Sequence, residues 1–232
     1  MRIYKKINHG IRQHGFFYFF KLQFTERFYR NKFKKTSVDY REGKVTAEVL
    51  NNISANKDSK INQASPYYEI KRAFSFIDIN YSDICLLDIG CGFGKVLNWG
   101  MIFNFKEVTG IDLDKSAISK TIDNCNNVQK RGYRTKFNVL LHDAATFNIP
   151  EGINVIYIAN SFGKITMGKV LENISKYFFQ QKKDLYIVYY KPTCPELFSE
   201  IGNCDKVYDS FNKNNQMAEM SIFKFSKVYL FV

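Results

Sequence analysis

From residue 84 onward the chain alternates short runs of β-branched and aromatic residues with longer runs whose apolar positions recur every three or four residues. That alternation predicts a parallel α/β sheet joined by crossover helices. Residues 84–89 read as a first strand, 94–103 as a helix and 107–112 as a second strand. A helix over 115–130 follows, with Ala117, Ile118, Ile122, Cys125 and Val128 near one face, then strands over 136–141 and 154–159. A helix over 164–179 leads to a fifth strand over 184–190. Pro192 and Pro195 interrupt the pattern. A short helix over 196–201 is expected next, and the β-like runs 206–211 and 221–231, joined by the polar stretch 212–216, predict an antiparallel hairpin at the end of the sheet.

Upstream, Ser65-Pro66 reads as a helix start, with a capping hydroxyl and a proline at the first helical position, leading into 67–79. Residues 51–63 are poor in apolar side chains and read as a linker. The chain thus divides into an extension and linker over 1–63 and a domain over 64–232. No internal repeat is present.

Charge sharpens this division. The whole chain carries +12, yet residues 1–35 hold ten basic side chains against the single acid Glu26, a local +9. In the same segment Phe16, Phe20, Phe24 and Phe28 recur every fourth residue, with Lys21, Arg27 and Arg30 between them. Three readings stay open: a helix laying its aromatics on the domain as a lid, a helix gripping an anionic membrane surface, and, ranked below these, contact with nucleic acid. The apolar run at 16–20 is far too short to span a bilayer and lacks the cleavage site of a secretory signal, so a cytoplasmic protein is expected, with residues 1–35 a candidate for peripheral contact at the inner membrane surface. Five cysteines without a C-x-x-C pair indicate neither a disulfide framework nor a zinc site.

The candidate chemistry lies after the first strand, in Asp88-Ile89-Gly90-Cys91-Gly92-Phe93-Gly94. Glycines at alternate positions permit a tight turn and let backbone N–H groups approach a ligand. A dinucleotide fingerprint would need glycine where Lys95 stands, and no phosphate-binding P-loop occurs.

Asp88, Gly90, Gly92 and Gly94 resemble the first motif of the class I S-adenosylmethionine (SAM)-dependent methyltransferases, and later segments follow in the family's order over roughly residues 64–211. The resemblance implies an α/β, Rossmann-like fold, a mixed seven-strand sheet with helices on both faces, here preceded by a basic helical extension. It implies SAM as methyl donor, with Asp112 accepting from the ribose hydroxyls, Asp143 from the adenine amino group and the Ala144 N–H facing the ring. Asp88 is expected to hold the glycine loop by accepting backbone N–H bonds. Taken alone, Asp112 or Asp143 would be an ordinary solvated acid or a helix cap.

After the fourth strand, Asn160-Ser161-Phe162-Gly163 stands where amino-group methyltransferases of the family carry Asn or Asp and then an aromatic, although Phe162 comes one position early. By this resemblance Asn160 and Phe162 are the acceptor-side candidates, and an amino group, a protein lysine among the possibilities, is the expected acceptor. The methyl acceptor itself, whether protein, glycan or small molecule, is not readable from the residues. Two alternatives stand: an O-methyltransferase acting on a glycan or small metabolite, for which His142 is the available base, and a non-catalytic methyltransferase-like module tethered to membrane or RNA by its basic arm.

Overall fold

The structure, a computed structural model, describes residues 16–34, 64–181, 183–211 and 218–227. The expected linker 51–63, the polar connection 212–216, His9, His14 and the last residues of the final β-like run lie outside these. Among the described residues five helices, α1 (Phe16–Lys34), α2 (Tyr67–Phe74), α3 (Lys95–Ile102), α4 (Lys115–Gln129) and α5 (Lys164–Gln180), accompany seven strands, β1 (Cys85–Ile89), β2 (Glu107–Asp112), β3 (Lys136–Leu141), β4 (Val155–Ala159), β5 (Leu185–Tyr190), β6 (Cys204–Phe211) and β7 (Ala218–Phe225). The short helix expected near 196–201 is a 3₁₀ segment, Pro195–Glu200.

The strands form one sheet in the order β3-β2-β1-β4-β5-β7-β6. β1 to β5 are parallel, and β7 runs antiparallel to both its neighbours. The two last strands pair as the hairpin pattern requires, but the second of them inserts beside β5 and leaves β6 at the edge. Burial explains the order: Met220, Ser221, Ile222, Phe223 and Phe225 of β7 are buried, whereas β6 exposes Val207 and places charged residues among its apolar ones. Strands covered on both faces need near-continuous apolar sequence, and β4 and β5 have it.

Two apolar layers result. Against one face, α2, α3 and α4 pack on Leu86, Val155, Tyr157 and Val188; against the other, α5 and the 3₁₀ segment pack on Leu87, Ile89, Ile156, Ile158 and Ile187. The N-terminal helix belongs to the first layer. Tyr29 and Phe33 of α1 are buried against Trp99 and Tyr67, with ring centroids 4.8 Å apart for Tyr29 and Trp99 and 4.6 Å for Phe33 and Tyr67. Burying a side chain such as Phe33 contributes about 1.5–3 kcal/mol.

The start of α2 differs from expectation. Pro66, not Ser65, occupies the cap position, and no side chain of its own caps the helix. Glu26 of α1 takes that role, its carboxylate accepting from the Tyr68 N–H at 3.1 Å. An acid at a helix N-terminus satisfies an orphan donor and complements the helix dipole. The helix ends at Phe74 rather than near residue 79, with the Ser75 hydroxyl donating to the Arg72 carbonyl at 2.7 Å.

Candidate cofactor and acceptor site

In this strand order the chain's direction of travel reverses between β1 and β4, which opens a crevice at their carboxyl ends. The glycine loop enters it from β1, and Asn160 and Ser161 enter from β4. Gly90 has φ of 76°, and its N–H and that of Cys91 both donate to the Ile111 carbonyl at 2.9 Å. A Cβ at Gly90 would stand 2.3 Å from Ser161 Oγ, so loop and β4 end meet at van der Waals limit. Gly94, with φ of 74°, caps α3, and a Cβ there would strike Thr121 Cγ2 at 2.6 Å.

Helix α4 braces the loop from beneath. The Thr121 hydroxyl donates to the Gly92 carbonyl, and Asn124 Nδ2 donates to the Phe93 carbonyl at 3.0 Å. Neither residue was singled out by the sequence pattern. The available signal was their position: buried polar side chains on the apolar face that carries Ala117, Ile118 and Cys125. Ser161, to which the motif assigns no role, has its hydroxyl 3.2 Å from the Ile89 carbonyl and 3.3 Å from that of Ala159, tying the two sides of the crevice together.

Three of the expected acids converge here. Asp112, at the end of β2, accepts from the Gly92 N–H through Oδ2 at 2.8 Å and from the Asp114 N–H through Oδ1 at 2.9 Å. Burial raises its carboxyl, and those N–H groups oppose the rise. Asp143 lies just past β3, beside Asp112, because Asp112 pairs with Leu141 in register and the His142 N–H donates to the Asp112 carbonyl at 3.0 Å. Its Oδ1 accepts from the Ala145 N–H at 2.9 Å, and Asp143 and Ala144 are half-buried. Asp88 is 2% exposed, and its Oδ2 has no hydrogen-bond partner, where loop N–H bonds were expected. Burial, reinforced by the Asp112 charge, pushes it up to about 8.

The unpartnered Asp88 oxygen has company. The Asn98 amide and Trp99 Nε1, both on α3, are also buried without hydrogen-bond partners, and α3 packs on the same face of the sheet as Asp88. Buried polar groups are nearly always paired in folded proteins, and each orphan costs about 1–3 kcal/mol. The unpartnered Asp88 oxygen, near the end of β1 where the glycine loop begins, fits a site made for a polar, cationic ligand group.

On the acceptor side, Asn160 adopts φ of 45°, a left-handed conformation that Asn tolerates better than most residues and that turns the chain abruptly at the end of β4. Phe162 goes elsewhere. It is buried in the layer under α5, where it holds the position just before the Gly163 cap and Met167 the fourth helical position, the arrangement of a hydrophobic staple. The His142 ring is exposed, edge-on to Phe147 at 5.1 Å, with Nδ1 3.0 Å from the Asp143 carbonyl.

Helices α1 and α2 close the same face with a network of acids and tyrosines. The Tyr18 hydroxyl donates to Glu69 and lies 3.2 Å from Glu219. Burial raises Glu69, while Tyr18 and Arg72 counter it. Glu26 lies 3.7 Å from Lys95, whose ammonium sits 3.9 Å above the centre of the Tyr67 ring. Burial lowers Lys95 to about 8, and Glu26 acts against that shift. Burial likewise raises Tyr190, with Glu69, Glu219 and Glu26 adding to it.

In sequence the chain matches no protein-family model and no curated protein. In structure it is similar to several methyltransferases. The magnesium protoporphyrin IX methyltransferase from Synechocystis, solved with bound SAM, is 9% identical, with a TM-score of 0.51 over 88% of this chain and 94% of that one. A precorrin-6y C5,15-methyltransferase from Geobacter metallireducens is 14% identical, with a TM-score of 0.51 over 74% of this chain and 95% of the other. A SAM-dependent methyltransferase from Aquifex aeolicus gives 14% identity and the same TM-score over 67% and 88%. The fold is that of the class I SAM-dependent methyltransferases.

Proposed function

We propose that this protein is a SAM-dependent methyltransferase whose acceptor is an amino group. The observation that carries the reading is the convergence of the Gly90–Gly94 loop, the oriented Asp112 carboxylate and the unpartnered, buried Asp88 carboxyl at the crevice between β1 and β4. When bound, SAM supplies a methyl group already activated by its sulfonium. The chain's own work is therefore to bind, align and exclude water.

Each residue has a matching task. Asp88 presents a lone carboxylate oxygen to the donor's ammonium, which would hold it ionised at neutral pH. Asp112 is fixed by two N–H groups with capacity left for hydroxyl donors, and Asp143 and Ala144 sit beside it for the adenine edge. Asn160 offers an amide oxygen that accepts from an amine N–H and so points the nitrogen lone pair. Phe162 holds the Asn160 turn by anchoring the start of α5 and takes no part in contact with the acceptor.

The acidic and aromatic enclosure of Tyr18, Glu69, Tyr190 and Glu219 favours an amine over a hydroxyl, since carboxylates and ring faces both attract cations. Hydroxyl transfer would call on a base, and the exposed His142 lies on the Asp143 side of the crevice, away from Asn160. A protein lysine is the amine to test first. Calorimetric titration with SAM and S-adenosylhomocysteine should give micromolar binding that Asp112→Ala abolishes. Labelled methyl donor should then mark lysine-bearing protein. Folded protein that binds neither ligand would overturn the methyltransferase reading; labelling confined to hydroxyl acceptors would overturn the amine.

A further inference from the structure

The basic N-terminal helix is docked by the face opposite its phenylalanine stripe. Tyr18, Glu26, Tyr29 and Phe33 face the domain, through Glu69, Lys95, Trp99 and Tyr67. Phe17, Phe20, Phe24 and Phe28 are 87%, 50%, 74% and 54% exposed. At 3.6 residues per turn these four rings fall within about 80° of arc. Lys21 and Arg27, both exposed, lie along the two edges of that arc. The only acid among residues 1–35, Glu26, is turned inward on Lys95, so the outward face carries positive charge alone.

We infer that this face of α1 is a docking surface for an anionic lipid bilayer, holding the enzyme at the membrane without crossing it. No helix among the described residues is long and apolar enough to cross a membrane. The geometry is that of a helix lying in the interface: a straight apolar stripe about three turns long, rimmed by cations that reach lipid phosphates while the rings enter the acyl boundary. The +9 of the segment complements a negatively charged leaflet. Nucleic acid is the poorer fit. Stacking platforms interleave rings with cations along a groove, whereas here four exposed Phe rings form one continuous ridge with the cations at its margins. Because Tyr29 and Phe33 fix the helix on the domain, the ridge is presented without any rearrangement of the fold.

The test is vesicle co-sedimentation of the full chain. Vesicles of phosphatidylcholine mixed with phosphatidylglycerol should bind it, and phosphatidylcholine alone should bind it at least tenfold more weakly. The quadruple variant Phe17→Ser, Phe20→Ser, Phe24→Ser, Phe28→Ser, whose side chains are exposed, should keep the thermal unfolding midpoint and SAM affinity of the parent while losing at least tenfold in vesicle binding. Lys21→Glu with Arg27→Glu should lose a similar amount and abolish the preference for the anionic lipid. Vesicle binding unchanged in the quadruple variant would overturn the inference. So would absence of vesicle binding by parent protein that binds a single-stranded RNA oligonucleotide in fluorescence anisotropy. Loss of SAM binding in the parent would strike the proposed activity and leave the docking surface untouched.

Discussion

Replacing Gly90 by alanine tests how closely the glycine loop and the end of β4 are pressed together. The substitution has two separable costs. At φ of 76° an alanine pays about 1–2 kcal/mol for the left-handed backbone. Its Cβ would also meet Ser161 Oγ at 2.3 Å and Ser161 Cβ at 2.7 Å, and overpacking of this kind costs about 1–3 kcal/mol. Together these give about 2–5 kcal/mol, or roughly 4–20 °C in unfolding midpoint for a chain of this size. Ser161 cannot swing aside freely, because its hydroxyl is held between the Ile89 and Ala159 carbonyls. Removing the obstacle, in Gly90→Ala with Ser161→Gly, should recover the overpacking part and leave the backbone part. Urea unfolding of the parent, both single variants and the double variant forms a cycle whose interaction energy should be about 1–3 kcal/mol in favour of the double variant. SAM affinity should fall at least tenfold in Gly90→Ala and return in part with the second change. Additivity of the two substitutions to within about 0.5 kcal/mol would refute the contact as described.

Four further outcomes follow from the same geometry. Asp88 has its carboxyl raised from 3.8 to about 8 on folding, so the native state keeps a proton that the unfolded chain releases; its contribution to stability is full below about pH 4 and is lost as pH rises through 8. Asp88→Asn should thus flatten the fall in stability between pH 5 and 8, measured by urea unfolding without ligand, while weakening SAM binding. Asn160→Gly, which suits the φ of 45° and deletes the amide, should lower kcat at least tenfold in a steady-state methylation assay with little change in KM for SAM. His142→Ala should leave kcat within about twofold of the parent, since an activated methyl and an amine acceptor need no protein base; a hundredfold loss would indicate hydroxyl chemistry. Glu26→Ala removes the partner of half-buried Lys95 and of the Tyr68 N–H, and should destabilise the protein by about 1–3 kcal/mol in the same unfolding assay.

The sheet was legible because its central strands are buried on both faces and their apolar runs are unmistakable. The place of β7 was not. Runs 206–211 and 221–231 announce two strands, but only the contrast between a buried Met220–Phe225 segment and an edge-like Cys204–Phe211 segment says which lies beside β5. Gly90 and Gly94 were readable because their left-handed backbone admits few other residues. Ser161, Thr121 and Asn124 were less so, since their work is to bond carbonyls 29 to 72 residues away, and such contacts leave no local period. Phe162 presents the opposite case: the motif position reads as chemistry, while the cap at Gly163 and the apolar Met167 four residues on signal the packing under α5 that the structure shows.

The orientation of α1 shows why hydrophobic pattern alone could not place that helix. It is apolar on two sides, with Tyr29 and Phe33 on one and the Phe17–Phe28 ridge on the other, so burial of area does not choose strongly between them. Polar contacts do. Turned by half a revolution, α1 would bury the ridge with comparable apolar gain, yet it would take Glu26 away from Lys95 and the Tyr68 N–H and take Tyr18 away from Glu69 and Glu219. Each buried group so abandoned costs about 1–3 kcal/mol, and an unpaired buried charge costs more. The single acid and a single tyrosine therefore set the rotation of the helix, and the exposure of Phe17, Phe20, Phe24 and Phe28 follows from that setting.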